Sequence, residues 1–170
     1  MNAPMWAPWR IEYILGPKDR SGCPFCAYAS HPPSGFRDDL TLFATDRTLV
    51  TLNRYPFAAG HLLVMPRAHV SDLSALAPED HDDLFRTATR AADRLKRAVG
   101  AEALNMGLNL GAAAGAGIAE HLHVHLVPRW SGDTNFMPVL ADVRVMPQHL
   151  DATWAHLHPY FADLPGAHPA

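Results

Sequence analysis

Hydrophobic and polar positions change period several times along the chain, and each change predicts an element. Residues 40–45 and 48–52 are rich in β-branched, aromatic and aliphatic side chains, with Asp46-Arg47 between them, which predicts two strands joined by a turn. A loop follows at 53–60, broken by Pro56 and Gly60, and the apolar run 61–65 predicts a central, buried strand that stops at Pro66. From 78 to 99 the period becomes helical. Leu84, Phe85, Ala88, Ala91, Ala92, Leu95 and Val99 form one apolar stripe, Pro78, Glu79 and Asp80 suit a first turn, and Gly100 stands where a C-terminal glycine belongs. Arg86, Arg90, Arg94, Lys96 and Arg97 make the solvated side.

Beyond the helix, 104–110 predicts a strand and 111–117, glycine and alanine only, predicts a loop. The strictest alternation is at 121–127, where His121, His123 and His125 interleave with Leu122, Val124 and Leu126. A period of two belongs to a β-strand, so the three imidazoles leave one face and the aliphatic side chains the other. Further on, 139–145 predicts a strand and 149–161 a helix with Trp154, Leu157 and Phe161 facing inward. The segment 6–14 carries two tryptophans, a tyrosine and two isoleucines and reads as a docking segment.

These elements predict an α+β fold: an antiparallel sheet with one long helix on one face and a C-terminal helix. At 170 residues the chain suits a single domain, 1–170, with a core at about 40–130 and the N-terminal and C-terminal segments packed on it. A net charge of -3 without a basic run excludes broad nucleic-acid binding. No 18-residue apolar run exists to span a membrane, and Met1 to Trp6 lack the basic start and apolar stretch of a signal peptide, so the expectation is a cytoplasmic protein.

Composition matters most through histidine and cysteine. Three histidines on one strand face suit metal ligation, or a nucleophilic imidazole with its neighbours as hydrogen-bond donors to an anion under attack. The only two cysteines, Cys23 and Cys26, form a Cys-x-x-Cys. Loop-like residues 16–22 precede it rather than a βαβ unit, which favours metal over thiol redox chemistry; two ordinary buried thiols are the competing reading. Two thiolates need two more ligands, and His31, His61, His69, His81 and the triad are candidates. Glycines at 111–117 permit an anion nest of backbone N–H groups, but the spacing is not that of a dinucleotide-binding fold.

The run His121-Leu122-His123-Val124-His125-Leu126-Val127 resembles the signature of the histidine-triad nucleotide hydrolases and transferases. Asn53, followed by Gly60-His61-Leu62-Leu63-Val64-Met65-Pro66, resembles that family's other recurring block. Residues 107–111, 119–121 and 128–136 are similar to bacterial diadenosine tetraphosphate phosphorylases of the superfamily.

The resemblance implies attack on the α-phosphorus of an adenine nucleotide or dinucleoside polyphosphate, through a nucleotidyl-histidine. His123 would be the nucleophile, His125 and His61 donors to phosphate oxygens and the leaving group, and Asn53 the ribose contact. Asn109, Gly115, Gly117 and Arg129 would complete the substrate site, with inorganic phosphate as acceptor and ADP and ATP as products. The 111–117 loop has no hydroxyl or amide side chain, so phosphate contacts there fall to the backbone or to Arg129. The resemblance also implies a structural zinc on Cys23, Cys26, His69 and His121 and a homodimer or tetramer. Hydrolysis releasing AMP, a non-catalytic nucleotide-binding module, and a redox or metal carrier are the rival readings.

Overall fold

In a computed structural model, which describes residues 22–133 and 148–164, five strands form one sheet in the order β1-β2-β3-β5-β4 with every neighbouring pair antiparallel. They are β1 (Thr41–Ala44), β2 (Thr48–Leu52), β3 (Leu62–Pro66), β4 (Ala103–Leu108) and β5 (Val124–Arg129). Three α-helices accompany them: α1 (Pro24–Ser30), α2 (Pro78–Val99) and α3 (Leu150–Leu157). The expected α+β architecture is the observed one. The predicted segment 6–14 and the predicted strand 139–145 lie outside the described residues.

The ends of α2 are those read from the sequence, because their signals are local. Pro78 occupies the first turn, where its missing N–H loses no bond, and Gly100 closes the helix at φ 60°, a left-handed conformation that favours glycine. The apolar stripe buries Leu84, Ala88, Ala91 and Leu95 against Val50, Leu52, Leu62, Val64, Leu122, Val124 and Leu126. Leu157 and Phe161 complete this core, and Pro159 confines α3 to eight residues followed by a short 3-10 turn.

A smaller cluster on the other face joins Phe25 of α1 and Phe36 to Ala44, Leu49, Leu63 and Met65. Strand β3, central as expected, is buried along its whole length, which is why it reads as a continuous apolar run. Its register sorts the triad: Leu62↔Leu126 and Val64↔Val124 belong to the α2 face, and Leu63↔His125 to the opposite one.

The triad segment departs from expectation at its start. The ladder begins at Val124, not at His121, because the next pairs would fall on Met65 and Pro66, and Pro66 has no N–H to give. The chain is held there instead by Leu122 N–H donating to the Val70 carbonyl (2.7 Å). Losing that partner also shortens β4 to Leu108, which pairs with Val124. Strand β4 is an exposed sheet edge with Met106 44% accessible, whereas the β1 edge is met by α3, whose Trp154 Nε1–H donates to Thr41 O at 2.8 Å. Among the described residues no helix is long and apolar enough to cross a membrane.

Candidate active site and metal cluster

The histidines on the sheet face opposite α2 are joined in chains whose proton positions follow from their fixed donors and acceptors. The Phe57 backbone N–H can only donate, and it lies 3.1 Å from His61 Nδ1. His61 Nδ1 is therefore an acceptor, and its proton sits on Nε2. Asn53 Nδ2 adds a second donor to the same atom at 3.3 Å, and Asn53 N–H donates to His61 O at 2.9 Å. His61 Nε2–H then donates to His125 Nδ1 at 3.0 Å, which leaves the His125 proton on Nε2. That atom is buried and, among the described residues, has no hydrogen-bond partner. A buried N–H without an acceptor is costly, and this one is available to an anionic ligand.

His123 is set the other way. Its Nδ1–H donates to the His121 carbonyl at 2.9 Å, so its Nε2 keeps the lone pair. Burial pushes the imidazolium of His123 down, so the ring is neutral at pH 7. For His125, burial first and the neighbouring His123 second push the value from 6.5 to about 4. The His123 and His125 ring centres lie 4.9 Å apart. A lone pair and an N–H donor thus stand side by side in a site where both rings are uncharged.

Beneath α1 the first histidine turns to the cysteines. His121 Nε2–H donates to Pro66 O at 2.8 Å, and its Nδ1 lone pair faces Cys23 Sγ at 3.3 Å and Cys26 Sγ at 3.6 Å. Cys26 Sγ also lies 3.2 Å from His69 Nδ1, and the four candidate ligand atoms all fall within 4.8 Å of one another. Tetrahedral zinc with two sulfur and two nitrogen ligands sets neighbouring ligands about 3.4–3.8 Å apart. The donor set fits a metal ion.

Burial and the adjacent Cys23 thiol push the Cys26 thiol up, so two thiolates here need a cation. His31 is not part of the cluster; it pairs with the buried Asp39 at 2.5 Å. Cys23 caps α1, so the Cys-x-x-Cys does open a helix, though in an antiparallel sheet rather than a βαβ unit. Phe25, between the cysteines, sets its ring edge-on to His121 and His123 at 5.4 and 5.3 Å.

Of the other expected residues, Asn109 follows the pair Leu108↔Val124 and so lies beside the triad end of β5. Gly115 and Gly117 lie in the exposed loop between β4 and the triad, but the expected nest loses two donors. Gly115 N–H closes the turn on Ala112 O (3.0 Å), and Ala116 N–H bonds Gly111 O (3.4 Å). Arg129 is not brought to His123. It is four residues up β5 from His125, about 13 Å along the strand, and its guanidinium is held by Asp133 at 2.6 and 2.8 Å and by Asn105 at 3.0 Å.

Two contributors escape a reading by side-chain type. Phe57 acts through its main-chain N–H and stacks on His61 at 4.8 Å and 29°. Gly107 pairs with His125, and a Cβ there would meet nothing within 4 Å, so the sheet surface beside His125 is open. An aromatic three residues before the Gly-His block, and a glycine inside a strand, were the available signals.

The family described as HIT domain matches residues 36–132. An AP-4-A phosphorylase of Mycobacterium tuberculosis is 35% identical over 154 residues, 88% of this chain and 79% of the relative. The asymmetrical bis(5'-nucleosyl)-tetraphosphatase of Schizosaccharomyces pombe is 32% identical over 91 residues, 54% of this chain and 50% of that one. A Zn-bound histidine triad family protein from Mycobacterium smegmatis, a solved structure, covers 83% of this chain and 94% of its own at 28% identity, with a TM-score of 0.66.

Proposed function

The chain belongs to the HIT domain family, and on that premise we propose that it transfers a nucleotidyl group through a covalent histidine intermediate, phosphorolysing diadenosine tetraphosphate-like dinucleoside polyphosphates to ADP and ATP. The observation that carries the reading is the His121 carbonyl, which holds the His123 proton on Nδ1 and leaves Nε2 ready to attack without first losing a proton. The His123 Nε2 lone pair forms a bond to the α-phosphorus as the bond to the leaving oxygen breaks. The buried His125 Nε2–H is the group positioned to donate to the phosphate oxygens and the departing polyphosphate, backed by His61. An oxygen of inorganic phosphate then attacks phosphorus, the N–P bond breaks, and neutral His123 is restored. Asn53 holds the ribose, and Asn109, Gly115 and Gly117 border the phosphates.

A second reading, hydrolysis, rests on one observation: Arg129 and the Gly115 and Ala116 amides are already engaged, which weakens the phosphate site expected from them. The product pattern separates the two. With diadenosine tetraphosphate, phosphorolysis gives ADP and ATP at a rate that rises with added phosphate, whereas hydrolysis gives AMP and ATP at a rate that does not. Binding without turnover, and without a base-stable, acid-labile label on the protein, would leave only a nucleotide-binding module.

We assign a structural zinc to Cys23, Cys26, His69 and His121, on the ligand spacing and the two sulfur and two nitrogen donors. When bound, the ion supplies a fixed cross-link between α1, His69 in the turn beyond β3, and the triad segment. The His121 ring and carbonyl then serve different centres, the ring the metal and the carbonyl His123. Exposed β4 edges suit pairing between two copies, the homodimer that the family resemblance implies. Two free thiols suit the reducing cytoplasm.

A further inference from the structure

We propose that Phe57 is a positioning residue of this site: its main-chain N–H and its ring together hold the His61–His125 pair in the one arrangement that presents the His125 Nε2–H. This rests on the nucleotidyl-transfer reading and names a residue outside the triad and its Gly-His block. The N–H half is geometric. His61 has two donors to Nδ1: the Asn53 amide at 3.3 Å, whose oxygen is held by the Tyr55 N–H at 2.9 Å, and the Phe57 N–H at 3.1 Å. The Phe57 N–H is the nearer of the two and cannot reverse its sense, so Nδ1 is an obligatory acceptor. If that proton moved to Nδ1, His61 Nε2 would become an acceptor, His125 Nδ1 would have to donate to it, and the Nε2–H facing the site would be lost.

The ring half follows from its placement. Phe57 is 48% exposed, high for an apolar side chain, yet its inner face stacks on His61 at 4.8 Å and lies 5.7 Å from His125, tilted 31°. His61 beneath it is 0% exposed. The ring therefore covers two imidazoles from water, and a dry surrounding keeps them neutral and strengthens the hydrogen bond between them. Among the described residues, those facing His125 are His61 on the side of β3, His123 ahead of β5, Phe57 from the 53–60 loop, and Gly107 of β4, which contributes no side chain. Only the two histidines among them titrate.

The test uses the full chain with the metal it carries on purification. In Phe57→Ala, kcat should fall about 10- to 100-fold, within the range of a weakened general acid, with KM changed by less than about threefold. The acid limb of the kcat profile should move up by roughly one pH unit, because water readmitted over His125 favours its charged form. Phe57→Tyr, which keeps both ring and N–H, should restore both quantities. Nitrogen-15 NMR of ring-labelled histidines should find His61 protonated on Nε2 in the wild type and in Phe57→Ala alike, because the main-chain N–H survives the substitution; Phe57→Leu replaces the alanine variant if that does not fold. An unchanged acid limb would overturn the proposal, as would a wild-type His61 protonated on Nδ1 or a change confined to KM, which would make Phe57 a substrate contact. Failure of the wild type to form a nucleotidyl-histidine would sink the transfer reading instead, and the His61 tautomer read by NMR would still test the role of the Phe57 N–H.

Discussion

His125 makes stability depend on pH in a calculable way. Its imidazole is half-buried and neutral, with its value lowered from 6.5 to about 4 by burial and by His123 beside it. Between those values the unfolded chain binds a proton that the folded chain does not, so stability rises with pH across the window and is lost as pH falls from about 6.5 to about 4. At 1.36 kcal/mol per unit the full effect is about 3 kcal/mol, a large part of the stability of a domain this size. Replacing the residue, as in His125→Asn, removes this proton linkage while keeping a polar group of similar width. Urea midpoints of both proteins between pH 4 and 8 give the comparison. The variant should be the less stable at pH 7.5, and the gap should close by about 3 kcal/mol, or reverse, on reaching pH 4.5. Groups shared by both proteins, the thiols included, cancel in the difference. Two parallel stability curves would mean that His125 titrates alike folded and unfolded, and the buried neutral relay would be refuted.

His123→Asn should abolish turnover while nucleotide affinity, read by calorimetry, changes only a few-fold, since a lost nucleophile acts on the transition state; retention of near-normal kcat would remove His123 from its role. Metal analysis should find about one zinc per chain, and Cys23→Ser should lower both zinc content and Tm; a metal-free wild type whose Tm the substitution leaves alone would dismiss the site. Gly107→Leu should fold normally, because its Cβ meets open space, and should raise KM for a dinucleotide more than tenfold by filling the surface beside His125; unaltered kinetics would place the substrate elsewhere. Leu95→Ala, 0% exposed beneath α2, should cost about 2–5 kcal/mol without altering KM for the surviving folded fraction, and a neutral effect on stability would contradict the core drawn here.

What was legible in the sequence was whatever depends on neighbours along the chain. Helix α2 could be bounded to the residue because Pro78, the acidic first turn and Gly100 act within one turn of its ends. The two faces of the triad were legible because alternation survives even where pairing does not. The point at which β5 starts was not, since it is decided by the missing N–H of Pro66, far earlier in the chain, which in the register would fall opposite Leu122. Arg129 read as a free cation because nothing in its type discloses that Asp133 folds back to clasp it. The nest at 115–117 failed for a similar reason: a glycine-rich loop may spend its amides on its own turns, and composition does not say which. Tautomers lie further still from the sequence, because a main-chain N–H such as that of Phe57 carries no residue identity at all.

The contacts of the site also differ in how far apart along the chain their members lie. Asn53 meets His61 across 8 residues, His61 meets His125 across 64, and Cys23 meets His121 across 98. Closing the longest of these loops rather than the shortest carries an extra entropic penalty of about 2 kcal/mol on the logarithmic scaling of loop closure. Folding therefore has a natural order. The 53–61 loop can take shape while the rest of the chain is still searching, Cys26 can meet His69 across 43 residues before β5 docks on β3 to close the relay, and the contact of Cys23 with His121 comes last. The carbonyl on which the nucleophile leans lies only two residues away, and its histidine is anchored across 55 residues by Pro66 O and across 98 by Cys23, so a local contact that sets a proton's place is fixed in space by two distant ones.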